Sequence, residues 1–124
     1  MFDHIGLRDA DLGASIAFYR QTLAPLGLVL ASSGDDYAGF GPSGAPSLWL
    51  HAKPGVQGRG VHLAFSAASP DAVKAFHAAG LAAGARDNGA PGPRPDYGPN
   101  YFGAFLIDGD GNNIEAVCHL PQGA

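Results

Sequence analysis

Laid over itself with a shift of 58 positions, the 124-residue chain repeats. His4 falls on His62, Ile5 on Leu63 and Leu7 on Phe65; farther along, Ala14 falls on Ala72, Ala17 on Ala75, Phe18 on Phe76 and Leu23 on Leu81. The register holds from position 4 to position 23 without a gap. A chain written twice folds as two like units, so the repeat narrows the architecture before composition is considered.

Each copy opens on a strand, residues 2–8 and 61–66, and passes into a helix. In the first copy Asp9 or Asp11 is placed to cap the helix, because a short acidic side chain accepts from the unpaired N–H groups of the first turn. Leu12, Ile16, Tyr19 and Leu23 then recur on one helical face, and Pro25 and Gly27 end it. In the second copy Ser69 is the cap and Pro70 takes the first helical position, where a missing N–H costs nothing. Val73 and Phe76 face inward and Gly80 stops the helix.

Three short strands follow each helix: 26–32, 37–41 and 47–53, then 83–88, 101–108 and 112–119. The pattern predicts an α+β fold of two tandem β-α-β-β-β modules, residues 1–57 and 58–120, in one domain spanning 1–124. "DGDGNN" at 108–113 is a hairpin turn, since Gly and Asn tolerate positive φ. It is not a calcium loop: the places that would need Gly and Glu hold Asn113 and His119. Residues 87–100, "DNGAPGPRPDYGPN", read as a long connection with no element of its own, suited to a lid or binding loop.

Composition removes several functions. With 46% hydrophobic and 15% charged residues there is material for a core and too little charge for a disordered chain. Net charge is −4 and the seven basic residues are scattered, which argues against nucleic acid as a partner. No apolar run approaches the ~18 residues of a membrane span, and the N-terminus lacks the pattern of a signal peptide. The single cysteine, Cys118, fits a reducing compartment, so the expected location is cytoplasmic.

The two repeated histidines carry the chemistry. Side chains alternate along a strand. If Ile5, Leu7, Leu63 and Phe65 pack under the helices, His4 and His62 point to the opposite face. On the last strand, Ile114, Ala116 and Cys118 go to the core, which sends Glu115 to the face of the histidines. Two imidazoles and one carboxylate make a facial triad that leaves positions open on a divalent metal; Zn, Mn, Fe(II) and Ni all suit such a set. Each histidine alone reads as an ordinary hydrogen-bonded strand residue, and Glu115 has an arginine such as Arg94 or Arg59 as another conceivable partner.

With these features in place, "DHIGL" (3–7), "AFYRQTLAPLGL" (17–28) and "DGDGNNIEAV" (108–117) resemble the vicinal oxygen chelate superfamily: glyoxalase I, bleomycin-resistance proteins, fosfomycin-resistance thiol transferases and extradiol dioxygenases. The resemblance implies a cupped mixed sheet with the helices on its outer face, around one divalent metal held by His4, His62 and Glu115. It implies a metal-dependent enzyme of lyase/isomerase, thiol-transferase or dioxygenase type, acting on a small oxygen-bearing substrate, with Glu115 in the catalytic set. It also implies a homodimer. The alternative within the same fold is a metal-free protein that binds or sequesters a small molecule; a third is a regulatory or structural member with a closed cleft.

Glyoxalase I carries a further glutamate on the last strand of module one. Aligning "LWLH" (48–51) with "IEAV" (114–117) puts Trp49 there, and an indole neither ligates a metal nor moves a proton. The resemblance also implies basic groups for a thiol transferase, for which Arg94 and Lys53 are the candidates, and a base histidine for a dioxygenase, for which His51 or His119 would serve. Substrate contacts are expected from Trp49, Tyr97, Tyr101, Arg94 and His51, with Tyr37 as a further aromatic wall. Phe102 could join them, but it and Phe105 suit core packing better. The roles of His51, His77 and His119 stay open.

Overall fold

Asp11 and Ser69 begin the two helices in the way their side chains allow: Asp11 Oδ1 accepts from Ala14 N and Ser69 Oγ accepts from Ala72 N, both at 3.1 Å. In the computed structural model, which describes residues 1–54 and 60–119, eight strands and two helices alternate as the repeat requires. Strand β1 (Ile5–Asp9) leads to α1 (Leu12–Leu23), a short 3-10 turn at Ala24–Leu26, then β2 (Val29–Ser33), β3 (Tyr37–Gly41) and β4 (Leu48–Ala52). The second module follows with β5 (His62–Ser66), α2 (Pro70–Ala82), β6 (Arg86–Pro93), β7 (Phe102–Ile107) and β8 (Asn113–Cys118).

The strands form two four-stranded sheets of the same order, β1-β4-β3-β2 and β5-β8-β7-β6. In each, the first strand runs parallel to the last and the other pairs are antiparallel. One face of each sheet is covered by helix and the other is open. Leu7, Leu50, Phe76, Leu106 and Ile114 belong to a single core cluster that both modules share. Helices α1 and α2 pack on each other within it. No helix among the described residues is long and apolar enough to cross a membrane.

Three sequence expectations change. Gly80 does not stop α2, which runs on to Ala82, and the left-handed residue that ends it is Gly84 at φ +104°. Gly80 serves packing instead: a Cβ there would lie 2.3 Å from Leu106 Cδ1 and 3.3 Å from Thr22 Cγ2, where helix, sheet and the other helix meet. The first strand begins at Ile5, so His4 lies just before it. The stretch 87–100 is not without structure: β6 takes it up to Pro93, paired to β7 with register breaks between Asp87 and Gly89 and between Gly89 and Gly92. Pro91 and Pro93 are tolerated because β6 is an edge strand, where a missing N–H need not break a ladder. The hairpin turn after β7 stands as expected, with Gly111 at φ +84°.

Carboxylates join the two modules at that turn. Asp108 accepts from the backbone N–H of Asp110 and Asn112, both at 2.9 Å, and from the hydroxyl of Tyr19 on α1 at 2.5 Å. Burial first, and then this carboxylate, hold the Tyr19 phenol well above its usual pKa. Asp110 Oδ1 accepts from Ala10 N at 3.2 Å. Asp9, 1% exposed at the end of β1, accepts from Ser15 Oγ at 2.7 Å, while its other oxygen meets no donor. Burial, followed by the neighbouring Asp110, raises the Asp9 carboxyl to about 7.

Candidate functional site

The open face of the second sheet holds the site. His62 starts β5 and Glu115 sits on β8; the pairing of these strands sets His62 beside Asn113 and Ala64 beside Glu115. From there His62 Nε2 reaches Glu115 Oε1 at 2.6 Å. Tyr101, one residue before β7, donates its hydroxyl to Glu115 Oε2 at 2.6 Å. Glu115 is only 2% exposed, yet both of its oxygens are matched, which is what makes a buried carboxylate affordable. Among the described residues the partners of Glu115 are His62 and Tyr101, and Arg94 makes no ion pair with it; the other candidate, Arg59, lies outside the described residues.

The Tyr101 phenol is pushed up to about 12, first by burial and then by its hydrogen bond to Glu115. It therefore remains a donor at any working pH. Its ring meets Tyr97 and His119 edge to face, with centroids 5.2 Å and 5.1 Å apart. A cleft of about 610 Å³ opens over this group, walled by Tyr97, Tyr101, Phe105, Arg94 and Asn88. A second cleft of about 320 Å³ lies between α1 and the β7–β8 turn, beside Ser15, Tyr19 and Asp108, and holds none of the expected site residues.

The structure brings together His62, Glu115, Tyr97, Tyr101 and Arg94. It does not bring His4 to them. His4 precedes β1 of the other sheet, and its Nδ1 bonds to Asp3 at 2.7 Å. Among the described residues of one chain, no three His, Cys, Asp or Glu side chains form a group that could hold a metal ion. Trp49 and His51 also belong to the first sheet: Trp49 is flanked by Gly6 on β1 and Gly39 on β3, and its ring stands 6.2 Å from that of Tyr37. Trp49 occupies the register position of Glu115, since Gly6 pairs with Trp49 as Ala64 pairs with Glu115.

Among the other candidates, Phe102 packs in the core as the sequence favours. Phe105 is buried too, at 9% exposure, but on the other face of the sheet, where it pairs across from Glu115 and lines the cleft, because the alternation that sends Ala104 and Leu106 into the core cluster turns Phe105 away from it. That alternation was a usable signal. His77 is buried on α2 and bonds Asp87 at 2.9 Å, away from the cleft. Sequence reasoning missed Asn88, whose amide donates to Asn113 Oδ1 at 3.2 Å on the cleft wall. It ends the expected strand 83–88, and its place in the expected 87–100 connection as well left its direction unassigned.

The model of the Glyoxalase/Bleomycin resistance protein/Dioxygenase superfamily matches residues 1–116. A glyoxalase/bleomycin resistance protein from Albidiferax ferrireducens T118 superposes with a TM-score of 0.83 at 33% identity, covering 95% of this chain and 98% of its own. A glyoxalase/bleomycin resistance protein/dioxygenase family enzyme from Burkholderia phytofirmans PsJN shares the fold at 20% identity and a TM-score of 0.73, covering 95% of this chain and 98% of its own. An E144Q mutant of glyoxalase I from Zea mays matches at 26% identity and a TM-score of 0.72, covering 94% of this chain and 46% of its own. No curated protein matches the sequence.

Proposed function

Since the chain belongs to the Glyoxalase/Bleomycin resistance protein/Dioxygenase superfamily, we propose that it is a divalent-metal-dependent enzyme acting on a small oxygen-bearing substrate in the cleft of its second sheet. One observation carries the reading: an imidazole nitrogen and a buried carboxylate oxygen meet at 2.6 Å on the floor of an open cleft, in the strand positions where the repeat places ligands. These two donors suit a divalent ion of the Zn, Mn, Fe(II) or Ni kind. The third, His4, comes from the partner subunit of a homodimer, because within one chain it stands on the other sheet.

When bound, the metal supplies a Lewis acid that holds substrate oxygen and stabilises developing negative charge. The chain's own groups do the rest. Tyr101 fixes the Glu115 carboxylate through Oε2 and leaves Oε1 turned to His62. Tyr97, Tyr101 and Phe105 give the substrate apolar walls and exclude water from Glu115. Trp49 stands where a second carboxylate would be needed for a proton transfer shared between two glutamates, so thiol-transfer or dioxygenase chemistry suits this donor set better than isomerisation by a carboxylate pair. A cytoplasmic location accords with the single cysteine.

A second reading has its own support. Among the described residues of one chain no three candidate metal donors meet, and Tyr97, Tyr101 and Phe105 give the cleft aromatic walls, as a metal-free binding or sequestering protein would have them. Metal analysis of the purified protein after exchange against divalent ions separates the two. One ion per cleft, lost in Glu115→Ala, supports the enzyme. No ion in either protein, with small-molecule binding retained, supports the second reading.

A further inference from the structure

We infer that Arg94 is an anion subsite of this cleft, and that the substrate is a small planar molecule bearing an oxyanion, a carboxylate or a phosphonate. The inference rests on the cleft being the working site proposed above. Arg94 follows β6 directly, and its guanidinium is held over that strand rather than released to solvent. Nη2 donates to Ala90 O at 2.7 Å and Nη1 to Pro93 O at 3.3 Å. The Cζ atom lies 5.4 Å from the centroid of Phe105, over the ring face.

The backbone makes room for this placement. A Cβ on Gly89 would come within 3.2 Å of Arg94 Nη2, and a Cβ on Gly92 within 3.2 Å of Nη1. Two glycines in an edge strand weaken it, and here they clear a bed for a cation. Two carbonyls occupy only part of a planar group with five N–H donors. Carbonyls also leave its charge uncompensated, and among the described residues no Asp or Glu forms an ion pair with it. A half-buried guanidinium fixed at a cleft wall with unspent donors is arranged for bidentate contact with an oxyanion.

The remaining walls indicate the body of the ligand. Tyr97 leaves a large ring 64% exposed at the cleft, set edge to face against Tyr101. Phe105 and the His62 ring lie 6.2 Å apart on the floor. Rings on several sides favour a flat apolar body over a flexible or sugar-like one. Glu115 meets such a ligand with both carboxylate oxygens already engaged, by His62 and by the Tyr101 hydroxyl.

The test is an NMR titration of the 124-residue chain with benzoate, phenylphosphonate and the neutral benzamide, in Zn(II)-loaded and EDTA-treated protein. The expected result is that both anions bind more tightly than benzamide and that Arg94→Ala weakens them at least about tenfold, the scale of a charge-assisted pair, while benzamide is unchanged. Gly92→Ala, which crowds the guanidinium without removing it, weakens the anions in the same direction. Whichever anion binds more tightly assigns the oxyanion. Equal binding of benzoate and benzamide, or an Arg94→Ala protein that keeps its benzoate affinity, overturns the subsite. Failure of the metal reading shows separately, as absence of Zn(II) binding, and the EDTA-treated series still decides on Arg94.

Discussion

His62 and Glu115 stand 53 residues apart in the sequence, yet Nε2 of one lies 2.6 Å from Oε1 of the other. The contact depends on a parallel pairing between the first and last strands of a module, which no local sequence signal announces. It places a charge that is 2% exposed beside a half-exposed ring at the cleft floor.

Replacing Glu115 should separate charge from shape. Glu115→Gln keeps a side chain that Tyr101 and His62 can still bond, so it is expected to unfold close to the parent and to lose bound metal. Glu115→Ala leaves the Tyr101 hydroxyl without its acceptor, at a cost of about 1–3 kcal/mol, and should both melt lower and lose metal. Elemental analysis beside thermal unfolding reads the two effects. A Glu115→Gln protein with a full complement of metal would remove Glu115 from the ligand set.

Tyr101 acts on the site through Glu115. Tyr101→Phe deletes the donor to Oε2 and keeps the ring against Tyr97 and His119. Groups that orient a ligating carboxylate typically matter about 10–100-fold in metal affinity, and a loss of that size is expected with the fold intact. Because burial and Glu115 raise the phenol to about 12, Tyr101 should not ionise between neutral pH and pH 10. Ultraviolet titration of tyrosinate, comparing parent with Tyr101→Phe, checks the second point, and metal competition checks the first.

The modules and most strand directions were legible because the repeat and the period-two alternation are local properties of the chain. The same alternation placed Glu115 opposite the core residues Ile114 and Ala116. Strand β6 was legible only at its start, within the expected strand 83–88, since Pro91, Pro93 and the glycines erase its period beyond that and its edge position tolerates them only once the sheet exists. With the remainder went the bed of Arg94. His4 illustrates a different limit. The alternation assigned it a face, but it lies just before β1, and whether three strands meet at one point depends on how the modules are set against each other, about which the repeat says nothing.

The Asp9 carboxyl should make stability depend on pH in the direction opposite to an ion-paired carboxylate. Its pKa is raised from 3.8 to about 7 by burial and by Asp110, so between these values the folded protein holds a proton that the unfolded chain releases. Stability therefore falls as pH rises from about 4 to about 7, then levels. A shift of this size corresponds to up to about 4 kcal/mol. Asp9→Asn keeps an acceptor for Ser15 Oγ, gives the other side-chain atom hydrogens to offer Asp110, and carries no charge. It should flatten the pH dependence across that window and melt above the parent at pH 8. Denaturant unfolding at pH 5 and pH 8 measures this. An unchanged slope in Asp9→Asn would show that Asp9 is not the group that titrates.

Mixing two inactive variants tests whether two chains build each site. A His4→Ala chain retains His62 and Glu115, while a His62→Ala chain retains His4. If each site takes His4 from one subunit and the other two ligands from its partner, neither homodimer holds metal. A heterodimer made by unfolding and refolding the two together has one site with all three ligands and one with only the carboxylate. Random assortment then makes about half of the dimers mixed, so about a quarter of the parent's metal content should return. If all three ligands came from a single chain, no pairing of these variants would restore any. Recovery of metal on mixing, measured by elemental analysis after removal of free ion, would identify the first sheet of one subunit, with His4 at its margin, as the missing wall of the cleft on the other.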